Sequence, residues 1–76
     1  MVNSYYDSDS DDLTVRLGDA KSVYSDEIFD GMYLIRDEKD DNIIAFQILN
    51  YKKRSDHVLR KYLPSEIYSI IQKIII

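Results

Sequence analysis

The apolar residues of this chain change period once, and the change falls just after Asn50. Before it they recur at alternate positions: Leu13, Val15 and Leu17 are separated by Thr14 and Arg16, the spacing of a strand with one buried face. After it, Ile67, Ile70, Ile71, Ile74 and Ile75 stand at i, i+3, i+4, i+7 and i+8, the spacing of an amphipathic helix. Seventy-six residues have room for one core, so sheet and helices must share it. The expected class is α+β. A four- or five-stranded antiparallel β-meander over residues 5–50 packs against one or two C-terminal helices within 55–76, in a single small domain spanning 1–76.

Turn residues punctuate the first part. Tyr5 and Tyr6 precede the run Asp7 to Asp12, whose short Asp and Ser side chains bond back to the local backbone and favour a turn. With Leu13–Leu17 this makes a hairpin. Gly18-Asp19 opens a loop, and Ser22–Phe29 reads as a weaker strand with Val23, Tyr24, Ile28 and Phe29 as its apolar groups. Asp30-Gly31 is a tight-turn pair leading into a strand at Met32–Arg36. The polar cluster Asp37–Asn42 is the next turn. Ile43–Leu49 follows as the central strand, with Ile44, Phe46 and Ile48 on one face and Ile43, Ala45 and Leu49 on the other. Ser55 is placed to cap a helix carrying Val58, Leu59, Tyr62 and Leu63 along one side. Pro64 ends that helix and suits the first turn of the next. A helix this short is marginal alone, so its Ile67, Ile70, Ile71 and Ile74 stripe must be covered, either by its own sheet or across a dimer or partner interface.

Charge is divided unevenly. Residues 1–41 carry twelve acidic side chains against four basic ones, whereas residues 42–76 carry six basic against two acidic. Two acidic groups stand out, Asp7, Asp9, Asp11 and Asp12, then Asp37, Glu38, Asp40 and Asp41. They are expected to meet a small basic protein, the alternative being solvated acidic turns. Lys52, Lys53 and Arg54, with Arg60, Lys61 and the neighbouring Tyr51 and Tyr62, form a basic and aromatic patch of the kind that grips phosphates and stacks on bases. Set against a sequence pI of about 4.7, this patch reads as a solvated face, with nucleic acid reached only through a partner. It also suits the acidic half of another copy, which would give a homodimer.

Several chemistries lack their residues. There is no cysteine, hence no disulfide, thiolate metal site or cysteine nucleophile. Asp7, Asp9 and Asp11 copy the first three ligand positions of a calcium loop, but Asp12 occupies its glycine position and Gly18 stands where a bidentate Glu would close it. His57 is the one histidine, which suits a solvated helix position better than a metal or triad site. Gly18 and Gly31 are too far apart to cradle phosphate. We expect no enzyme activity, no cofactor and no metal. No apolar run approaches a membrane span, and the N-terminus has no basic region or apolar signal core, so the expected setting is cytoplasmic with no membrane partner.

Taken in order, Tyr6-Asp7, the acidic stretch to Asp12 and the alternating Leu13-Thr-Val-Arg-Leu17 resemble the opening of the small prokaryotic proteins grouped as domain of unknown function 2283. Glu27-Ile28, Asp30-Gly31, the apolar strand ending at Asp37 and Ile43-Ile-Ala-Phe-Gln-Ile-Leu49 are similar to the rest of that pattern. The resemblance covers about residues 5–50. Asp12 replaces a usual small residue and Ala45 a frequent glycine, and the C-terminal segment is longer and richer in isoleucine than the family pattern. What the resemblance implies is an antiparallel sheet with a small helical element and no established catalysis. Some members look like antitoxins set beside small RNase-like toxins.

The functional expectation is therefore a non-enzymatic protein-binding module, foremost an antitoxin-like inhibitor of a small RNase-type toxin. Its acidic loops would draw in the partner, and its isoleucine stripe would anchor it. Two alternatives stand beside it. One is an acidic mobile-element inhibitor that mimics nucleic acid to block a host defence nuclease. The other is a small DNA-binding regulator using the basic patch of residues 51–61.

Overall fold

The structure, a computed structural model, describes residues 3–74, with side chains through Lys73. Five strands form one antiparallel sheet: β1 (Asn3–Asp7), β2 (Asp12–Arg16), β3 (Val23–Phe29), β4 (Met32–Asp37) and β5 (Ile43–Ile48). A single turn of 3-10 helix at Tyr51–Lys53 leads to α1 (Asp56–Tyr62) and α2 (Ser65–Ile74). The α+β architecture expected from the change of period is present. The sheet order is β1-β2-β5-β4-β3, so β5 lies at the centre and β1 and β3 are the edges. All links but one are local hairpins; residues 17–22 cross one end of the sheet from β2 to the far edge. That crossing is tied down by the N–H groups of Leu17 and Gly18, which both donate to the Ile44 carbonyl.

Register explains the core. Leu13, Ile48 and Met32 lie opposite one another across β2, β5 and β4, and Val15, Phe46 and Leu34 form the next row. Paired residues of an antiparallel sheet share a face, so these six point together toward the helices. All six are buried, as are Leu59 and Leu63 near α1 and Ile67 and Ile71 of α2. At about 1.5–3 kcal/mol for each fully buried aliphatic or aromatic side chain, this two-row layer is the principal favourable term in folding.

Local chemistry sets the helix ends. The Ser55 hydroxyl oxygen accepts the Val58 N–H at 3.2 Å, the N-cap that the sequence predicts. Leu63 is extended beyond α1, and the N–H of Tyr68 returns to the Pro64 carbonyl. α1 reaches the β3 edge through Tyr62, whose ring stacks on Phe29 at 4.1 Å between centroids.

Two expectations need correction. A register shift between Ile35 and Arg36 leaves Ile44 as an extra residue in β5, so Ile43 pairs with Arg36 and packs against the core instead of sharing the face of Ala45. The helix stripe takes the first of its two expected destinations, its own sheet, and what this corrects is the anchor role: Ile67 and Ile71 are 2% and 1% exposed, and so they offer no anchor to a partner. Ile70 is half-buried, while the side chain of Ile74 and all of Ile75 lie outside the described residues.

Candidate partner-binding surface

Chain direction places the two acidic groups apart. Ile48 pairs with Leu13 on one side and Met32 on the other, so the β1–β2 turn sits at the end of the sheet that holds Asp30, Gly31 and the start of the C-terminal segment. Arg36 pairs with Ile43, which puts the Asp37–Asn42 turn at the opposite end, beside the loop of residues 17–22. Asp7, Asp9, Asp11 and Asp12 therefore form one patch, and Asp37, Glu38, Asp40 and Asp41 another.

Within the first patch the carboxylates divide by role. Asp7 Oδ1 accepts the Asp9 N–H at 3.0 Å, closing a turn whose last residue, Asp11, has φ 59°. Asp11 then faces inward. Its Oδ1 accepts the Tyr6 hydroxyl at 2.5 Å and the Lys52 N–H at 3.1 Å, while its carbonyl accepts the Tyr51 N–H at 2.9 Å. These bonds to the charged form hold the Asp11 carboxyl below its ordinary range, the Tyr6 bond contributing most. The same bond, with burial and the neighbouring carboxylates adding to it, pushes the Tyr6 hydroxyl up to about 12. Asp11 is thus a clasp between the first hairpin and the C-terminal segment. Asp9 is exposed and its carboxylate makes no such bond.

The second patch is built the same way. Asp37 Oδ1 accepts the Lys39 N–H at 2.8 Å and Asp40 Oδ1 accepts the Asn42 N–H at 3.0 Å. Asp41, at φ 63°, receives the Tyr24 hydroxyl on Oδ1 at 2.6 Å and gives its carbonyl to Arg36 Nη1 at 2.9 Å. The Asp41 bond raises the Tyr24 hydroxyl above its usual range. Glu38 remains exposed with a free carboxylate. Among the described residues, ion pairs hold only three acids, Asp19 with Arg16, Asp26 with Arg36 and Asp56 with Arg60.

The basic patch is also partly consumed. Arg54 donates from Nε to the Leu49 carbonyl at 2.8 Å and from Nη2 to the Asp30 carbonyl at 2.6 Å, latching the C-terminal segment under the β3–β4 turn. Gly31, at φ 79°, leaves the space that Arg54 fills, because a Cβ there would collide with Nη2. Arg60 bonds Asp56 at 2.9 Å and the Tyr68 hydroxyl at 3.4 Å, and Tyr68 in turn donates to Asp56 at 2.5 Å. The Tyr68 bond leads the causes that raise Arg60 further. Lys52 lies 4.9 Å above the Tyr6 ring and Lys61 5.4 Å from that of Tyr62. Lys53 is exposed.

The face of the sheet away from the helices carries Tyr5, Thr14, Gln47, Tyr33 and Glu27 in one row across all five strands. Glu27 raises the Tyr33 hydroxyl through its charge. Sequence periodicity marks these positions only as the polar half of each strand, so their alignment awaits the register. A depression of about 480 Å³ between sheet and α2 brings Arg36, Asp41 and Glu66 to Ile67 and Ile70, but the Arg36 guanidinium is already shared between Asp26 and the Asp41 carbonyl. Among the described residues no group of three or more His, Asp or Glu is placed to hold a metal ion. Among the described residues no helix is long and apolar enough to cross a membrane.

Comparison with family models, with curated proteins and with solved structures gives no match. The likeness to domain of unknown function 2283 rests on the motifs quoted above.

Proposed function

We propose that this chain is a non-enzymatic protein-binding module that engages a small basic protein through its acidic sheet ends, in its leading form an antitoxin-like inhibitor of an RNase-type toxin. The observation that supports it is the surplus of exposed carboxylate left once the fold has taken what it needs. Asp11 and Asp41 are spent on tertiary bonds, whereas Asp9, Glu38 and Asp40 are exposed and Asp7 and Asp12 half-buried, and among the described residues none of these five is held in an ion pair. Clustered like charge costs the folded state self-repulsion, which a cationic partner relieves while it speeds encounter. The basic residues support the DNA-binding alternative less well, since Arg54 is latched to the Leu49 and Asp30 carbonyls and Arg60, though exposed, is paired with Asp56.

Tagged chain purified from its native cells should carry a stoichiometric basic protein, identified by mass spectrometry and sized by light scattering. Affinity for that protein should fall with rising salt and fall further in the Asp9→Lys, Glu38→Lys double variant. Recovery of the chain free of any stoichiometric protein, or an affinity indifferent to both salt and charge reversal, rejects the proposal.

A further inference from the structure

Among the described residues, two of the three large apolar side chains left exposed, Val23 at 47% and Tyr24 at 38%, are consecutive at the start of β3, an edge of the sheet, one on each face. An edge strand presents unpaired N–H and C=O groups, and proteins usually blunt it with lysine, proline or a bulge. Between Val23 and Glu27 this strand has no lysine, proline or bulge, and of its two acids Asp26 is paired with Arg36 of its own sheet; its pairing with β4 is unbroken there and becomes irregular only after Glu27.

The ladder shows which groups are free. The Glu38 N–H donates to the Ser22 carbonyl at 3.0 Å, which makes Ser22 and Glu38 a hydrogen-bonded pair in line with the β3–β4 register. Hydrogen-bonded pairs alternate in an antiparallel ladder, so Tyr24 and Asp26 also turn their backbone groups toward β4. Val23, Ser25 and Glu27 turn theirs outward.

We propose that β3 pairs with β3 of a second copy about a two-fold axis at Ser25, joining two sheets into one of ten strands. This register pairs all five regular residues and makes each outward-facing one part of a hydrogen-bonded pair: Val23 with Glu27 of the second copy, Ser25 with Ser25, and Glu27 with Val23. Tyr24 meets Asp26 between them. No acid faces an acid, whereas an axis at Asp26 or Glu27 would set a carboxylate against its own copy, and an axis at Tyr24 would leave Asp26 and Glu27 opposite the bend at residues 21–22. A two-fold contact must complement itself, and this edge does so in sequence as well as in backbone. It stands whether or not the chain also binds a basic protein.

The test uses the full chain and light scattering over a range of concentration up to millimolar. A dimer is expected. Ser25→Pro removes an outward N–H and spares the ladder to β4, so it should leave the circular dichroism and melting temperature of the monomer in place and weaken dimerisation about tenfold or more. Because residue 25 faces itself across the axis, Ser25→Lys and Ser25→Glu should each be monomeric alone and form a heterodimer when mixed. A chain that stays monomeric at millimolar concentration overturns the proposal, as does a dimer indifferent to Ser25→Pro or charge variants that fail to re-associate on mixing.

Discussion

The Tyr6 hydroxyl and the Lys52 N–H converge on one oxygen, Oδ1 of Asp11, at 2.5 and 3.1 Å. The bond couples the first hairpin to the segment that turns the chain from sheet to helix, and the Lys52 ammonium lies over the Tyr6 ring above it. An acid that composition alone assigns to the surface charge is thereby a structural member.

That coupling has a pH dependence with a defined sign. Tyr6 titrates at about 12 in the fold against 10.0 unperturbed, so it holds its proton more tightly when folded. Its contribution is fully present below pH 10 and is lost as pH rises toward 12. Asp11 is shifted the other way: its contribution is present above its unperturbed 3.8 and is lost as pH falls through the lowered folded value. Urea titrations from pH 9 to 12 should show stability falling for the parent, more gently for Tyr6→Phe. The raised Tyr24, Tyr33 and Tyr51 hydroxyls supply the loss that remains in that variant.

Gly31 should be intolerant of any side chain. Its φ of 79° costs an L-residue about 1–2 kcal/mol, and a methyl group would also displace the Arg54 guanidinium from the Asp30 carbonyl. Gly31→Ala should therefore lower the urea midpoint. The loss should be smaller when measured in an Arg54→Ala background, because there only the backbone strain remains.

The local parts of this fold are written in the sequence and the distant ones are not. Thr14 and Arg16 between Leu13, Val15 and Leu17 mark a half-buried strand, Asp30-Gly31 marks a hairpin, and Ser55 with Pro64 brackets the first helix; each is a short-range steric or hydrogen-bonding preference. Which strand lies beside which is a long-range outcome, so the pairing of Leu13 with Ile48 and the central place of β5 emerge only in three dimensions. The same limit applies to the surface. Asp9 and Asp11 are chemically identical and two positions apart, yet left-handed backbone at Asp11 turns it onto Tyr6 and leaves Asp9 in water. Spacing in the isoleucine stripe identifies a helix face but not the surface that covers it.

Burial ranks the stripe. Ile71 and Ile67 close the core over Phe46 and its row, whereas Ile70 is half-exposed beside Glu66. Ile71→Ala should cost about 2–5 kcal/mol, a large share of the stability of a domain this size. Ile70→Ala should cost clearly less. Chemical denaturation of the two variants measures both, and equal losses would mean that α2 is not seated as described.

Charge reversal separates acids that build the fold from acids that only decorate it. Asp9 and Glu38 make no side-chain bond in the structure, so Asp9→Lys and Glu38→Lys should leave the melting temperature unchanged or raise it slightly by relieving repulsion within each cluster. Asp11→Lys should lower it, because the Tyr6 hydroxyl and the Lys52 N–H lose their acceptor and a third cation joins Lys52 and Lys53. Melting curves of the three variants at low and high salt provide the measurement. Salt should narrow the difference between Asp9→Lys and the parent, whereas most of the Asp11→Lys deficit should persist, since screening weakens exposed charge repulsion but does not restore a lost hydrogen-bond acceptor.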